Sequence, residues 1–331
     1  MLRYAQDEDY TEIKKIYNNY YNDISYNDYY FNNLYNKEDV IVCNNEKEIM
    51  SIATRSKHIY MINNKPLKGS FIHGINTIKE YRNNGFNKRI INTIIDHAKH
   101  QELITFIKQD QYNINTKYGF EPIYNRVRYT INKHNNTMYD TSLCKTDNTS
   151  KELLNLYIEV MKRFNGYMIR DLKYYDNYLN IIKIKKGNII SIYQDNKIVG
   201  YMSLIKNGQE IIIEECLYLN SNALLSLISF AFKLGQTIQL NLTPYEKVDN
   251  LFEYTNKEIY SDTLMRINDI KLFNKLYQIE ANNAKEEPEL WPVKAQRSAG
   301  PIFLNFKLFS ATKSCMTLST FSTVKSDNSV N

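Results

Sequence analysis

The stretch from Ser70 to Phe120 constrains the fold of this chain more than any other part of the sequence. An apolar segment, Phe71 to Ile78, has the pattern of a strand and leads into the polar turn Arg82-Asn83-Asn84-Gly85. The apolar residues after this turn recur at the spacing of one helix face, and a second short strand, Leu103 to Ile107, follows. The helix face consists of Ile90, Ile91, Ile94, Ile95 and Ala98.

This order of strand, glycine turn and helix predicts an anion-binding site. The first N–H groups of a helix have no partner within the helix, and the helix dipole favours negative charge at that end. Gly85 would permit close approach of the backbone to a ligand, and the alternative interpretation is an ordinary turn glycine. We interpret the turn as a site for a pyrophosphate.

The composition predicts an ordinary soluble protein of two or three domains. The chain has 331 residues, of which 43% are hydrophobic and 24% charged. The first residues lack an apolar h-region, and the longest apolar run, Ala223 to Phe232, is too short for a bilayer, so we expect neither signal peptide nor membrane segment. Four scattered cysteines indicate a cytoplasmic location and no metal. The net charge of +6 is dispersed, which leaves nucleic-acid binding as a minor alternative.

The predicted elements occur twice in the same order. A helix, a hairpin, a strand, a helix and a strand fill the first part of the chain, where Arg126 to Ile131 is expected to close the first domain. Asp140 to Ser150 is polar and reads as a linker, and the same order of elements follows it. We interpret this as a structural duplication without sequence identity.

The end of the chain differs in composition from everything before it. All 28 tyrosines lie at or before Tyr277, whereas the one tryptophan, Trp291, and three of the six prolines lie after it. This segment has weak periodicity and is rich in Ser and Thr towards its end. Two interpretations stay open, a disordered extension or an end that is frame-shifted or unrelated to the rest.

The turn and its surroundings resemble motif A of the Gcn5-related N-acetyltransferases (GNAT). There a central strand precedes R/Q-x-x-G-x-G/A, whose backbone amides hold the pyrophosphate of acetyl-CoA. The match here is Arg82-Asn83-Asn84-Gly85-Phe86-Asn87, and Lys117-Tyr118-Gly119-Phe120 resembles the terminal K-x-G-F signature of the superfamily. The resemblance implies acetyl-CoA as co-substrate. The expected cofactor-binding residues are Ile75, Asn76, Thr77, Ile78, Arg82, Asn83, Asn84, Gly85, Phe86, Asn87 and Lys88.

The second half resembles the enhanced-intracellular-survival type of these acetyltransferases. Gly166 to Asp171, Gly200-Tyr201 and Glu214-Glu215 are similar to its second domain, and Leu264 to Asp269 is similar to the entry of its third, sterol-carrier-like domain. The resemblance covers residues 1 to about 278, so the third domain is expected to be missing or replaced.

It implies an α/β (α+β) fold of two tandem acyl-CoA N-acyltransferase-like domains with an irregular C-terminal tail. Each domain is expected to be a mixed, mostly antiparallel sheet flanked by helices. The expected ranges are 1-135 for the N-terminal acetyltransferase domain with the CoA site, 140-263 for a second, degenerate domain, and 264-331 for a remnant of the third domain with a disordered or aberrant tail.

Acetyl transfer to an amine needs a proton acceptor, a polarised thioester carbonyl and a proton donor for the departing thiolate. In the superfamily the donor is usually a tyrosine four residues before the glycine of K-x-G-F, a position that Asn115 occupies here. Tyr112 or Tyr118 could substitute for it, although the interpretation of both as structural residues is favoured in a chain with 28 tyrosines. In the resembling type the base is the C-terminal carboxylate of the chain. Glu80 is a further candidate, and its alternative interpretation is a solvated loop residue. His73 is interpreted as a packed or surface histidine rather than a catalytic one.

We therefore expect an acetyl-CoA-dependent N-acetyltransferase that transfers acetyl directly to a primary amine of a small molecule or peptide. The alternative is a degenerate relative that binds CoA or a partner without turnover, because Asn115 and the unusual tail weaken the case for catalysis. The segment Leu217 to Leu225 contains no glycine, so the second domain is not expected to bind the cofactor. The resemblance also implies a homo-oligomer, and no nucleic-acid or membrane partner is expected.

Overall fold

The structure, a computed structural model, describes residues 1–108, 116–123, 125–280 and 282. These residues form two mixed β-sheets and seven α-helices, which confirms the expected class of mixed sheets flanked by helices. The helices are α1 (Tyr10–Tyr20), α2 (Ile24–Asn33), α3 (Phe86–Ala98), α4 (Ser150–Met161), α5 (Leu172–Ile184), α6 (Ser221–Leu234) and α7 (Ile270–Tyr277).

Fifteen strands make up the two sheets in the described part of the chain. They are β1 (Leu2–Tyr4), β2 (Val40–Asn44), β3 (Ile49–Ile62), β4 (Lys65–Thr77), β5 (Ile104–Lys108), β6 (Glu121–Pro122), β7 (Arg126–Asn132), β8 (Cys144–Lys145), β9 (Tyr167–Met168), β10 (Asn188–Gln194), β11 (Lys197–Asn207), β12 (Glu210–Tyr218), β13 (Thr237–Leu242), β14 (Asn256–Tyr260) and β15 (Thr263–Ile267).

The two sheets repeat one β-α-β unit. The first sheet has the order β1-β2-β3-β4-β5-β15-β6, and β9 pairs in addition with Tyr60 and Met61 near the end of β3. The second sheet has the order β14-β7-β13-β12-β11-β10-β8. Within each sheet a single pair of neighbours is parallel among the described strands, β4 with β5 and β12 with β13. Helix α3 connects the first of these pairs and α6 connects the second, as parallel strands require.

Each sheet contains strands from the other half of the chain, β15 and the short β9 in the first sheet and β7 in the second. Residues 126–131 do form a strand, as predicted, but β7 pairs with β13 and β14 of the second sheet and not with the described strands of the first. Its counterpart β15 lies between β5 and β6 of the first sheet, although these residues were expected at the entry to a third domain. The pattern of an apolar strand does not specify its partner, which is why the sequence could not reveal this exchange. The three expected domain ranges stay predictions.

The first sheet is buried on both faces by different partners. Its α3 face packs against the predicted helix stripe, and all five of the stripe residues are buried. The opposite face packs against α1 and α2, and the same hydrophobic cluster continues into α4 and α5 of the second half. The two halves therefore share one core.

Residues 283–331 lie outside the described residues, so the interpretations of the tail stay predictions.

Candidate functional site

Strand β4 extends beyond its parallel neighbour β5. The two strands pair from Gly69 with Ile104 to Ile72 with Ile107, and β5 ends one residue later at Lys108. Strand β4 continues to Thr77. Along this last part, the edge of β4 that faced β5 has no neighbouring strand among the described residues. As far as the described residues show, backbone N–H and C=O groups on this edge could pair with an extended ligand.

A β-bulge lies in this part of β4. Thr54 of β3 pairs with His73 and Ile52 pairs with Asn76, so β4 has one residue more than β3 between these pairs. Gly74 accommodates the bulge with a φ of 62°. As a result His73 and Asn76 lie on the same face of the sheet, the face covered by α1 and α2.

The turn after β4 has left-handed backbone at two positions. Asn83 has a φ of 65° and Gly85 a φ of 77°. A Cβ atom built on Gly85 would meet no other atom within 4 Å, so glycine is favoured here by its conformation and leaves open space beside the backbone. The Nε of Arg82 donates a hydrogen bond of 3.3 Å to the carbonyl of Thr77, which fastens the start of the turn to the strand.

Helix α3 begins directly after Gly85 without a capping side chain. Helix α1 also lacks a side-chain cap, but it continues from a short 3-10 helix, Asp7–Asp9. The other five helices of the described residues each have an N-cap side chain that accepts a hydrogen bond from their own first turn. The first amides of α3 are therefore left for another acceptor. The five capping residues are Asp23, Thr149, Asp171, Asn220 and Asp269.

A hydrogen-bonded chain connects β4 to α3. The hydroxyl of Thr77 donates a bond of 2.6 Å to Oδ1 of Asn87 in the first turn of α3. The hydroxyl of Ser51 on β3 lies 2.9 Å from that of Thr77 and donates to the carbonyl of Asn76 at 3.0 Å. These contacts fix the helix N-terminus relative to the strand edge. The site is thus held in place before any ligand binds.

The surface around the start of α3 is mainly cationic. The guanidinium of Arg89 lies 5.7 Å from the centre of the Phe86 ring, and Glu80 supplies an opposite charge on the preceding turn. Together with the helix dipole, these cations favour a multiply charged anion. The exposed cations are Lys79, Arg82, Lys88 and Arg89.

The structure describes two of the catalytic candidates, Tyr118 and Glu80. Tyr118 is half-buried and packs against the α3 face of the first sheet, where burial raises the pKa of its hydroxyl. Glu80 is exposed in the 3-10 turn Lys79–Tyr81, before the glycine turn. Tyr112 and Asn115 lie outside the described residues. The catalytic roles of all four stay predictions.

His73 is packed into the protein, on the face of β4 opposite α3. Its Nε2 lies 2.8 Å from the hydroxyl of Ser56, and its ring stacks on that of Phe71 with the ring centres 6.1 Å apart. Burial, together with the nearby His58, lowers the pKa of His73 to about 3. The imidazole is therefore neutral at physiological pH.

The N-terminus of α6, the corresponding helix of the second half, is capped by a side chain of the same chain. The side chain of Asn220 accepts a hydrogen bond of 2.9 Å from the backbone N–H of Ala223, in the first turn of α6. No glycine turn precedes this helix. The expectation that the second half does not bind the cofactor stays a prediction.

Sequence reasoning missed two residues that shape the site. Ser51 supports Thr77 from β3, and nothing in the alternating pattern of that strand marks it. Arg266 donates a hydrogen bond to the carbonyl of Tyr118 within the K-x-G-F signature. The motif around Arg266 is visible in the sequence, but the family resemblance assigns it to the entry of a third domain.

Two negative findings concern the described residues. No three His, Cys, Asp or Glu side chains come together there as a metal ion would require. None of the helices described is long and apolar enough to cross a membrane.

Comparisons with known proteins agree with this geometry. Residues 1–123 match the family model described as an acetyltransferase (GNAT) domain. A search of curated protein sequences found no match. Among solved structures, a protein from Enterococcus faecalis V583 described as a probable N-acyltransferase is 18% identical, with a TM-score of 0.69 over 82% of this chain and 74% of that chain.

Two other solved structures have similar folds. A GCN5-related N-acetyltransferase from Anabaena variabilis ATCC 29413 is 14% identical, with a TM-score of 0.67 over 82% of this chain and 73% of that one. Eis1 from Mycobacterium abscessus is 11% identical, with a TM-score of 0.62 over 82% and 75%. At these identities the structures establish the fold, and the expected acyltransferase-like fold class is confirmed. Residues 1–123 therefore match an acetyltransferase (GNAT) domain, and the chain shares its fold with solved structures described as N-acyltransferases and N-acetyltransferases.

Proposed function

We propose that this chain uses acetyl-CoA and transfers its acetyl group directly to a primary amine of a small molecule or peptide. The observation that carries the proposal is the continuous path from the free edge of β4, through Gly85, to the uncapped N-terminus of α3. Acetyl-CoA supplies an activated acyl group as a thioester. The amides of Gly85, Phe86, Asn87 and Lys88 would hold its pyrophosphate.

The edge of β4 would bind the extended arm of the co-substrate. Backbone N–H groups between Gly74 and Thr77 are oriented donors, and one of them would polarise the thioester carbonyl. The acceptor amine must lose a proton, which costs about 4–5 kcal/mol at neutral pH for a lysine-like amine. We propose Tyr118 and Glu80 as the described candidates for proton transfer, and Tyr112 as a further one. A tyrosine with a raised pKa stays protonated at neutral pH and keeps a proton to donate.

Isothermal calorimetry with acetyl-CoA tests this site. Gly85→Glu should abolish measurable binding, because the new carboxylate would stand where the pyrophosphate is held and the φ of 77° disfavours a side chain. Gly208→Glu is the matched control, since Gly208 is also exposed, has a φ of 60°, and a Cβ atom built on it would meet no other atom within 4 Å. We call the proposed pyrophosphate site at Gly85 and the start of α3 the cradle. If Gly85→Glu still binds acetyl-CoA with wild-type affinity, the cradle is ruled out.

The second candidate function is binding of CoA or a partner without turnover. It is favoured by Asn115, which occupies the position of the usual proton donor. Release of free thiol from acetyl-CoA, measured with polyamines, aminoglycosides and lysine peptides, separates the two functions. Robust turnover with any of these amines eliminates the second candidate.

We further propose that the chain is of the enhanced-intracellular-survival type, with a second half that forms one wall of the acceptor cleft. The duplicated β-α-β unit and the shared core support this proposal. The type also implies a homo-oligomer, which sedimentation of the full chain would test.

A further inference from the structure

Three buried polar side chains lie on the face of the first sheet opposite α3. They are Tyr17 of α1 with His73 and Asn76 of β4, and they are 2%, 5% and 1% exposed. The hydroxyl of Tyr17, Nδ1 of His73 and both polar atoms of the Asn76 amide have no hydrogen-bond partner in the described structure. We refer to these three residues as the polar cluster.

The bulge at Gly74 brings the polar cluster together. It places His73 and Asn76 on one face, opposite Thr54 and Ile52 of β3. A Cβ atom built on Gly74 would lie 3.5 Å from the Cε2 atom of Tyr17, so the tyrosine ring lies against the bulge. Ile52 and Tyr17 also belong to one hydrophobic cluster. The polar groups are thus surrounded by apolar side chains.

Such a cluster is unfavourable for stability and needs an explanation. A buried polar group without a partner loses its hydrogen bonds to water and gains none in return. Most buried polar groups in folded proteins are paired, and exceptions often mark a site for a missing ligand or a catalytic role. Four of the nineteen buried polar atoms without a hydrogen bond in the described residues belong to the polar cluster. The cluster lies where β4 leaves β5, which is where the proposed thioester would lie.

We propose that the side chain of Asn76 selects the acceptor. The amide both donates and accepts hydrogen bonds, so its Oδ1 would accept from the amino group while its Nδ2 donates to a second polar atom of the same molecule. The substrate class this chemistry fits is a small primary amine with a hydroxyl or carbonyl group next to the amino group. This inference rests on the proposed function, because it concerns the acceptor of the same reaction. Asn76 acts here through its side chain, whereas its backbone belongs to the proposed co-substrate edge.

Discrimination between matched amines tests the proposal. Thiol release from acetyl-CoA is measured with ethanolamine and glycinamide, and with propylamine as an amine of similar size without the second polar group. The wild-type protein should favour the first two by at least tenfold in kcat/KM. Asn76→Leu keeps the branched shape of the side chain and removes both polar atoms. It should lower kcat/KM for ethanolamine and glycinamide more than for propylamine and so abolish most of this preference.

The unfolding temperature provides a second readout. A structural role of Asn76 predicts that its substitution lowers this temperature, whereas the proposed role does not. Because Asn76 has no partner, Asn76→Leu should leave the unfolding temperature unchanged or raise it. Asn241→Leu is the matched control, since Asn241 is 7% exposed and its Oδ1 accepts from Tyr260 at 2.9 Å and from Arg128 at 3.3 Å. This control should lower the unfolding temperature and leave the amine preference intact.

Several results would overturn the assignment. They are equal effects of Asn76→Leu on all three amines, no effect on any of them, or a loss of stability as large as that of Asn241→Leu. A wild-type protein that binds acetyl-CoA but acetylates none of the three also overturns it, and leaves the cradle at Gly85 standing. Failure of the proposed function is distinguishable, because it would show as acetyl-CoA binding that Gly85→Glu does not change.

Discussion

Arg266 donates a hydrogen bond from its guanidinium to the backbone carbonyl of Tyr118, 148 residues earlier in the chain. A Cβ atom built on the neighbouring Gly119 would lie 2.6 Å from Nη1 of the same arginine, and Gly119 has a φ of 75°. The K-x-G-F signature is therefore a turn whose glycine is favoured by its backbone conformation and is covered by the end of the arginine side chain. Strand β15 closes this turn and completes the first sheet at the same time.

Gly119→Ala should lower the free energy of unfolding by about 2 kcal/mol. The left-handed conformation alone costs about 1 kcal/mol for a residue with a Cβ, and displacement of Arg266 adds to it. Urea unfolding measures the change. In Gly119→Ala combined with Arg266→Ala the two losses should be less than additive, because the second substitution removes the steric conflict.

Gly208→Ala is the control for backbone strain without crowding, since Gly208 has a φ of 60° and open space around it. It should cost only about 1 kcal/mol. A loss at Gly119 no larger than the loss at Gly208 would show that Arg266 adjusts without cost.

The features that sequence could predict are local, and those it could not are decided between distant segments. The stripe from Ile90 to Ala98 and the glycine turn follow from spacing within a few residues, and the structure has both. The exchange of β7 and β15 depends on which of the two apolar strands fits between its neighbours in each sheet. Their patterns are alike, so this information was absent from either strand alone.

The same limit applies within the site. Alternation along β4 places His73 and Asn76 on opposite faces, because they are three residues apart. The bulge at Gly74 reverses this, and a single glycine in a strand indicates a bulge without fixing its register. The contact between Thr77 and Asn87 was also hidden, since a motif specifies the position of Asn87 and not the partner of its side chain.

A buried ion pair connects the segment after β9 to the second sheet. Arg170 forms two hydrogen bonds to Glu215 of β12, at 3.0 and 3.1 Å, and the two side chains are 1% and 0% exposed. Arg170 follows β9, which pairs with β3 of the first sheet. Its guanidinium also lies 4.3 Å from the ring centre of Tyr157 and 4.4 Å from that of Tyr174.

Arg170→Met should destabilise the protein by about 3–5 kcal/mol, because it leaves the carboxylate of Glu215 buried without its counter-charge. Thermal and urea unfolding of the full chain measure the loss. Lys162→Met is the control, since Lys162 pairs with Glu159 at 2.6 Å but the two side chains are 64% and 54% exposed. It should cost less than about 1 kcal/mol. Equal losses for the two variants would contradict a special role of burial at Arg170.

His73 should make the protein less stable in mild acid. Burial lowers its native pKa to about 3, whereas the unfolded chain has the ordinary value of about 6.5. Below pH 6.5 the unfolded state therefore binds a proton that the native state does not, and stability falls by about 1.4 kcal/mol per pH unit down to the native pKa. Between pH 6.5 and pH 5 this one side chain should remove about 2 kcal/mol.

Urea unfolding at these two pH values measures the effect. His73→Gln keeps a polar group beside Ser56 and removes the titrating ring, so the loss between the two values should shrink by about 2 kcal/mol. His134→Gln, at an exposed position, should leave the loss as it is in the wild-type protein. A loss that His73→Gln does not reduce would mean that His73 is protonated in the native state.

Thr77→Val should weaken acetyl-CoA binding, although the side chain of Thr77 is not itself proposed to contact the ligand. The variant preserves the shape of the side chain and the backbone of β4, but Asn87 loses the 2.6 Å bond that holds the first turn of α3 to the strand. A hydrogen bond of this kind contributes about 1 kcal/mol, so calorimetry should show a Kd about five- to tenfold higher.

Thr237→Val is the control, because it removes a comparable bond, from the Thr237 hydroxyl to Oδ1 of Asn132 at 3.1 Å in the second sheet. It should reduce stability to a similar extent and leave the Kd unchanged. If both variants bind acetyl-CoA equally well, the contact between Thr77 and Asn87 supports the fold alone and does not position the cradle.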